Sequence, residues 1–140
     1  MTISRVLIAN RGEIAIRIAE AAASLGIESV SIHPPADASS LHTTATDTSV
    51  ALSNGDGVEA YLDIEAVIGA AKRSGCDAVH PGYGFLSENA VFAKRCADEG
   101  LLFIGPSADA LALFGDKVRA RQLAESLTIP TVPGSAPLSS

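Results

Sequence analysis

The stretch Val6-Leu7-Ile8-Ala9-Asn10-Arg11-Gly12-Glu13 decides the fold class of this chain. Its first four residues form an uninterrupted apolar run, which is typical of a strand that is buried on both faces. A helical pattern follows directly, from about Gly12 to Leu25, and Gly26 stands where a helix commonly ends. A buried strand that passes straight into a helix indicates a strand–helix unit of a parallel sheet.

The same alternation continues along the chain. Further strands are predicted at residues 27–32, 49–52, 78–79 and 101–104. Helices are predicted at residues 63–72, 87–99, from 107 onward and at 116–127, with N-caps at Asp63, Ser87, Ser107 and Asp116. The pattern predicts an α/β fold: a Rossmann-like, central parallel sheet with helices on both faces, plus a linker helix. We expect an α/β subdomain at residues 1–114 and a linker helix with an extended, proline-containing tail at residues 115–140.

Composition narrows the class of protein. The chain has 140 residues, 47% of them apolar, and a formal net charge of -6, which disfavours non-specific binding to nucleic acid. No apolar stretch approaches the ~20 residues of a membrane span, and the chain start lacks the layout of a signal peptide. We therefore expect a cytoplasmic protein that binds neither nucleic acid nor membrane. Cys76 and Cys96 have no metal or redox spacing and are predicted to be small core residues.

Three segments are predicted to follow strands at one edge of the sheet. They are Asn10–Glu13, His80–Ser87 and Gly105–Lys117. Ligands of open parallel sheets bind beyond the carboxyl ends of the strands. These segments are therefore the candidate binding residues.

The turn Asn10–Glu13 does not carry a dinucleotide-binding signature. It holds one glycine where that signature has three. The second strand also ends in His33, where a carboxylate would be expected to hold the ribose. These two absences disfavour an NAD-dependent enzyme, and a purely structural turn remains an alternative.

The segment His80-Pro81-Gly82-Tyr83-Gly84-Phe85-Leu86-Ser87-Glu88-Asn89 carries the densest signal. Its glycines permit close approach of a ligand or of another backbone. Tyr83 offers a ligand both an apolar ring and a hydroxyl, whereas Phe85 and Leu86 are expected to turn inward. A tight structural turn explains the same residues equally well.

Lys117 stands in the first turn of a predicted helix, where its charge opposes the helix dipole. A bound anion in front of the helix would reverse that penalty and use the free backbone N–H groups. The alternative is a solvated surface lysine.

The first helix carries a narrow polar stripe of Glu13, Arg17, Glu20 and Ser24. This stripe is either a solvated face or a subunit interface. An interaction module that binds a partner through it is the non-enzymatic alternative.

Taken in order, these segments resemble the start of the biotin carboxylase family. The resemblance rests on Ile8–Ala15, Asp37, Leu41-His42, Tyr61-Leu62, His80–Asn89, Phe103–Ser107, Gly115–Lys117 and the tail residues Pro130, Pro133, Gly134 and Ser135. The family belongs to the ATP-grasp superfamily and is found in acyl-CoA carboxylases and related biotin-dependent carboxylases. It uses MgATP and bicarbonate to form carboxyphosphate, and then carboxylates biotin on a carrier domain.

The resemblance implies roles for a few residues. Lys117 matches the lysine that contacts ATP phosphates, and Tyr83 and Gly84 match the segment on the biotin side of the site. Arg17 matches a basic position of a homodimer interface on the first helix. Glu20 replaces a residue that is often basic there, and Ser24 replaces an acidic one, so the dimer contact departs from the family pattern.

The resemblance also implies what this chain lacks. In the family, the ATP lid, the Mg²⁺ carboxylates, the bicarbonate-binding residues and the catalytic base follow the position of Ser140. We therefore expect no catalytic residue and no metal ligand in this chain, and no activity from it alone. The implied partners are the remaining biotin carboxylase subdomains, the biotin carboxyl carrier domain and the carboxyltransferase. Another ATP-grasp ligase, of the carbamoyl-phosphate or purine-pathway type, is the enzymatic alternative.

Overall fold

The computed structural model describes residues 2–132. Strands and helices alternate as the apolar pattern predicts. The strands are β1 Arg5–Ile8, β2 Glu28–His33, β3 Thr48–Ala51, β4 Ala78–His80 and β5 Leu102–Phe103. The helices are α1 Gly12–Ser24, α2 Ile64–Arg73, α3 Ala90–Asp98, α4 Ala108–Gly115 and α5 Lys117–Ser126. Short 3₁₀ helices lie at Pro35–Asp37, Leu41–Thr43 and Val58–Leu62.

The five strands form one parallel sheet in the order β3-β2-β1-β4-β5. β1 lies at the centre, where Leu7 is in register with Val30 of β2 and Val79 of β4. This arrangement confirms the predicted α/β fold with a parallel central sheet. It also brings the carboxyl ends of β1 and β4 side by side.

Alternate residues of β1 point to opposite faces of the sheet. Val6 and Ile8 lie under α1 and pack against its small residues, whereas Leu7 belongs to the larger cluster formed with α2 and α3. Helices therefore cover both faces, as predicted. The α1 face carries a single long helix, and this leaves part of that face less covered than the other.

Most buried side chains of the core are aliphatic, but the two largest among the described residues are the aromatic Tyr61 and Phe92. Both cysteines are free and buried, which confirms them as small core residues. Burial raises the pKa of each thiol, Cys76 and Cys96, to about 11. Neither thiol is a reactive nucleophile at neutral pH.

Three of the four predicted N-caps are confirmed by hydrogen bonds. The carboxylates of Asp63 and Asp116 and the hydroxyl of Ser107 accept from backbone N–H groups of their own first turns. The prediction of Ser87 was wrong. The chain makes a further turn after Gly84, with Ser87 N–H donating to the Gly84 carbonyl (2.9 Å). The helix therefore starts later, and Asn89 is its cap.

The last two helices form an arm on the body of the domain. α4 packs against α3, α5 packs against α4, and neither helix contains a fully buried residue. The chain bends between them at Asp116. The predicted boundary between residues 114 and 115 stays a prediction, and the tail at residues 133–140 lies outside the described residues. Within residues 2–132, every helix is too short or too polar to cross a bilayer.

Candidate functional site

Two of the three predicted segments meet at the carboxyl edge of the sheet. Ile8 at the end of β1 is in register with His80 at the end of β4. Ala9 N–H then donates to the His80 carbonyl at 2.9 Å, so the two strands stay paired up to their last residues. The turn after β1 and the loop after β4 consequently leave the sheet as neighbours.

Asn10 joins these two segments. Its side chain is fully buried, and its Nδ2 group donates to the carbonyls of Pro81 (2.8 Å) and Tyr83 (2.9 Å). Its Oδ1 atom accepts from Arg11 N–H at 2.9 Å. Both amide donors and the amide oxygen are thus used, which is the condition for burying an amide without penalty. Asn10 therefore fixes the loop after β4 at two carbonyls, one on each side of Gly82.

The glycines on either side of Tyr83 have left-handed backbone conformations, with φ of 67° at Gly82 and 68° at Gly84. A Cβ on Gly82 would lie 2.7 Å from Asn10 Nδ2 and 2.7 Å from Ile14 Cγ2. Glycine is therefore needed at this position both for its conformation and for close approach. The close neighbours of Gly82 are side chains and not another backbone, and nothing lies within 4 Å of a Cβ built on Gly84, so the approach of a ligand to this segment stays a prediction.

An aromatic stack holds the next residue of the loop. Phe85 also has a positive φ, 45°, which is unfavourable for a bulky residue. Its ring is stacked on the buried ring of Tyr61, with the centroids 5.3 Å apart and the planes 6° from parallel. The Arg11 guanidinium lies 5.9 Å from the Tyr61 centroid and 6.0 Å from the Phe85 centroid. Phe85 packs against the core and Leu86 is buried, as predicted.

Asp37 completes this cluster from the turn that follows β2. Its carboxylate accepts from the Tyr61 hydroxyl at 2.7 Å and pairs with Arg11 at 3.3 Å. Burial raises the pKa of Asp37, but the hydrogen bond from Tyr61 and the Arg11 charge outweigh that effect and leave the pKa below its ordinary value. Burial and the same hydrogen bond raise the pKa of Tyr61. At neutral pH the pair is therefore a carboxylate and a protonated phenol.

His42 lies behind this cluster and is fully buried. One ring nitrogen, Nε2, is 3.2 Å from the Ile32 carbonyl, and Nδ1 has no partner among residues 2–132. Burial lowers the pKa of His42, which keeps the ring neutral at pH 7.

An open cavity of about 420 Å³ lies between the β1–α1 turn and the loop after β4, and is lined by residues 10–14 and 83–85. Tyr83 lines this cavity and is 69% exposed. Apolar groups of Ile14 and Phe85 face this space together with the charges of Arg11 and Glu13. Such a wall suits a small ring with a polar edge. Across the described part of the chain, no group of three His, Cys, Asp or Glu residues is arranged to hold a metal ion.

A second, largely apolar groove of about 500 Å³ runs beside α1 on the less covered face of the sheet. Val6, Ile18 and Ile104 are among its apolar lining, and Arg17 and His80 are its polar members. Arg17, Glu20 and the rest of the stripe on α1 are exposed. Glu13 and Arg17 stand four residues apart on this stripe, a spacing that favours an ion pair, but none joins them within the described residues. Whether Arg17 and Glu20 form an interface stays a prediction.

Lys117 lies apart from the Tyr83 loop. It is the exposed first residue of α5, and its side chain makes no hydrogen bond or ion pair with any residue between 2 and 132. Asp116 Oδ1 accepts from the N–H groups of Val118 (2.9 Å) and Arg119 (3.1 Å). The expectation that these N–H groups are free for an anion was therefore wrong, because the N-cap carboxylate uses them. The ATP role of Lys117 stays a prediction.

Sequence reasoning did not assign roles to Asn10, Asp37 and Tyr61. Asn10 carries a usable signal, since a polar residue directly after a buried apolar strand must find buried partners. Asp37 and Tyr61 lie in short 3₁₀ helices, which are too short for a periodic pattern to mark them. Their contacts with Arg11 depend on the tertiary structure, which no local sequence pattern shows.

Comparison with known proteins gives a consistent result. The family profile described as biotin carboxylase, N-terminal domain, matches residues 2–111. The chain is 51% identical over 135 residues to a pyruvate carboxylase of Bacillus subtilis, covering 96% of this chain and 12% of that protein. It is 47% identical over 133 residues to a biotin carboxylase of Pseudomonas aeruginosa, covering 95% of this chain and 30% of that protein.

Among solved structures, the biotin carboxylase domain of a single-chain bacterial carboxylase superimposes with a TM-score of 0.91 at 55% identity, covering 94% of this chain and 31% of that one. The chain thus spans less than a third of the length of these relatives.

Proposed function

This chain belongs to the family of biotin carboxylase N-terminal domains, and on that premise we propose that it acts as the first subdomain of an ATP-dependent biotin carboxylase. The proposed parent enzyme is a ligase that uses MgATP and bicarbonate to carboxylate biotin on a carrier domain. The chain contributes one wall of the active site. Chemistry then depends on residues of the further subdomains.

The observation that carries this proposal is the fixed loop of Tyr83 and Gly84 beside the β1–α1 turn. The loop lies at the carboxyl edge of a parallel sheet, where ligands of such folds bind. Its cavity offers apolar side chains, the Arg11 guanidinium and the Glu13 carboxylate. These groups fit one side of a bicyclic ring with a polar ureido edge, and we assign the loop to the biotin side of the site.

The ATP side is assigned to Lys117. An exposed ammonium at the start of a helix suits contact with a polyphosphate, and a fixed cation would offset the negative charge that accumulates there. When bound, MgATP supplies the phosphoryl group that activates bicarbonate. The metal ligands are proposed to belong to other subdomains, because residues 2–132 hold no cluster suited to a metal ion.

The proposed partners are these further subdomains, the carrier domain and the carboxyltransferase. Relatives three to eight times longer than this chain support that assignment. The groove beside α1 supports it too, since parallel sheets are normally covered on both faces. We propose that another part of the carboxylase covers this groove, with Arg17 at its edge.

A hybrid enzyme tests the function. This chain replaces the matching segment of the P. aeruginosa biotin carboxylase, and ATP cleavage is measured with and without biotin and bicarbonate. The hybrid is expected to show ATP cleavage that depends on both substrates, whereas residues 1–140 alone are expected to show none. Biotin-stimulated ATP cleavage by the isolated chain, or an inactive but folded hybrid, would contradict the proposal.

Two lysine variants of the hybrid test the ATP assignment. Lys117→Ala is expected to raise the KM for ATP at least tenfold, because a phosphate contact is lost. Lys94→Ala is the matched control, since Lys94 pairs with Asp98 on the surface of α3. Equal KM values for ATP in the two variants would show that Lys117 is a solvated surface residue with no contact to ATP.

A further inference from the structure

We propose that Asn10 and Tyr61 are positioning residues, which hold the Tyr83–Gly84 segment in the conformation that receives the biotin ring. The inference rests on the proposed function for the identity of the ligand. The positioning itself rests on the geometry of the loop, and the two can fail separately.

Asn10 acts on the backbone of the segment and not on its side chains. Its Nδ2 group donates one hydrogen bond to the Pro81 carbonyl (2.8 Å) and one to the Tyr83 carbonyl (2.9 Å). The side chain of Tyr83 makes no hydrogen bond within residues 2–132 and is 69% exposed. The backbone at this point is therefore fixed while the ring is left available, as a binding residue requires.

The backbone of the loop is strained, and contacts with Asn10 and Tyr61 offset that strain. Three of four consecutive residues, Gly82, Gly84 and Phe85, have a positive φ, and for Phe85 this conformation is costly. Such a conformation persists only where surrounding contacts enforce it. Here they are the Asn10 amide on one side and the Tyr61 ring under Phe85 on the other.

Tyr61 is in turn held by a hydrogen bond that its buried hydroxyl requires. Its ring is completely buried, yet its hydroxyl reaches Asp37 at 2.7 Å, and Asp37 holds Arg11 over both aromatic rings. The turn after β2, the β1–α1 turn and the loop after β4 thus share one cluster. Changing the ring of Tyr61 should loosen a loop that lies more than twenty residues further along the chain.

Amide hydrogen exchange of the 140-residue chain tests the positioning. Protection of Gly82, whose N–H donates to His80 Nδ1, and of Ser87, whose N–H donates to Gly84, reports on the loop. Asn10→Ala is expected to speed exchange at these amides at least tenfold more than at Leu52, whose N–H donates to His33 in the sheet. The control is Ser31→Ala, which removes a buried hydroxyl bonded to Thr46 and should affect all amides alike.

Tyr61 variants give a second, gentler test should Asn10→Ala not fold. Tyr61→Leu keeps a buried apolar side chain but removes the stack, and is expected to speed loop exchange at least tenfold relative to Leu52. Tyr61→Phe keeps the stack but loses the hydrogen bond to Asp37, and is expected to speed loop exchange less than Tyr61→Leu does. Equal exchange at the loop and at Leu52 in both Asn10→Ala and Tyr61→Leu would overturn the positioning role.

Kinetics of the hybrid enzyme connect the loop to its ligand. Asn10→Ala and Tyr61→Leu are expected to raise the KM for biotin at least tenfold, with the KM for ATP and kcat within twofold, and Ser31→Ala should change none of them. A loosened loop with an unchanged KM for biotin would overturn the biotin assignment. An inactive unmodified hybrid counts against the proposed function instead, and hydrogen exchange still decides the positioning.

Discussion

The Tyr83 loop and the start of α5 are both candidate binding regions, but the domain supports them very differently. Asn10, Gly82 and the stacked ring of Tyr61 fix the loop against the centre of the sheet. Lys117 begins a helix whose main packing partner among residues 2–132 is α4, and its N-cap is the neighbouring Asp116. This domain therefore fixes the conformation of the Tyr83 loop, whereas the position of Lys117 depends on what α5 contacts.

The largest expected effect comes from crowding the fixed loop. Gly82→Ala places a Cβ 2.7 Å from Asn10 Nδ2 in a left-handed backbone, so we expect a loss of about 3 kcal/mol in the free energy of unfolding. Gly84→Ala is the matched control, because its φ is equally positive but nothing lies within 4 Å of the added Cβ. It should cost about 1 kcal/mol. Urea unfolding measures both, and equal losses would show that close approach to Asn10 does not matter.

Acid should weaken the body of the domain through His42. Burial lowers the pKa of His42 in the folded chain, so the unfolded chain binds a proton at higher pH. This contribution to stability is complete above the ordinary imidazole pKa of about 6.5 and is lost as the pH falls below it. The free energy of unfolding should decline by up to about 1.4 kcal/mol per pH unit on this account.

Urea unfolding at pH 7.5, 6.5 and 5.5 measures that slope. In His42→Gln, which keeps an amide donor near the Ile32 carbonyl, the slope should be smaller than in the unmodified chain. An unchanged slope would mean that His42 is not the group that takes up the proton.

The smallest expected effect comes from removing a helix N-cap, either in the body of the domain at Asp63 or at the start of α5 at Asp116. Asp116→Ala and Asp63→Ala each remove a carboxylate that accepts backbone N–H groups, a loss of about 1 kcal/mol for the helix concerned. At Asp63 the loss should appear in the urea midpoint, because α2 packs into the main core. At Asp116 it should appear only as faster amide exchange within α5. A comparable drop in the urea midpoint for both variants would show that α5 is an integral part of the body.

The same contrast explains what could be predicted from the sequence. Apolar runs such as Val6–Ala9 identify strands because burial on both faces excludes polar residues, and Asp63 and Asp116 identify helix starts through local chemistry. Ser87 was misassigned because a serine is equally suited to the turn that the chain makes there. The contacts of Asn10 and Tyr61 depend on strand order and on long-range packing, which no local pattern contains.

The two buried thiols have a practical consequence for labelling. Cys76 and Cys96 are enclosed in the core with pKa values of about 11, so maleimide reagents, which attack the thiolate, should react slowly with them in the native chain at pH 7. A single exposed cysteine from Tyr83→Cys or Lys117→Cys would then take a fluorophore selectively. The native cysteines need no removal, and the fixed loop and the arm can each be followed by fluorescence as a partner binds.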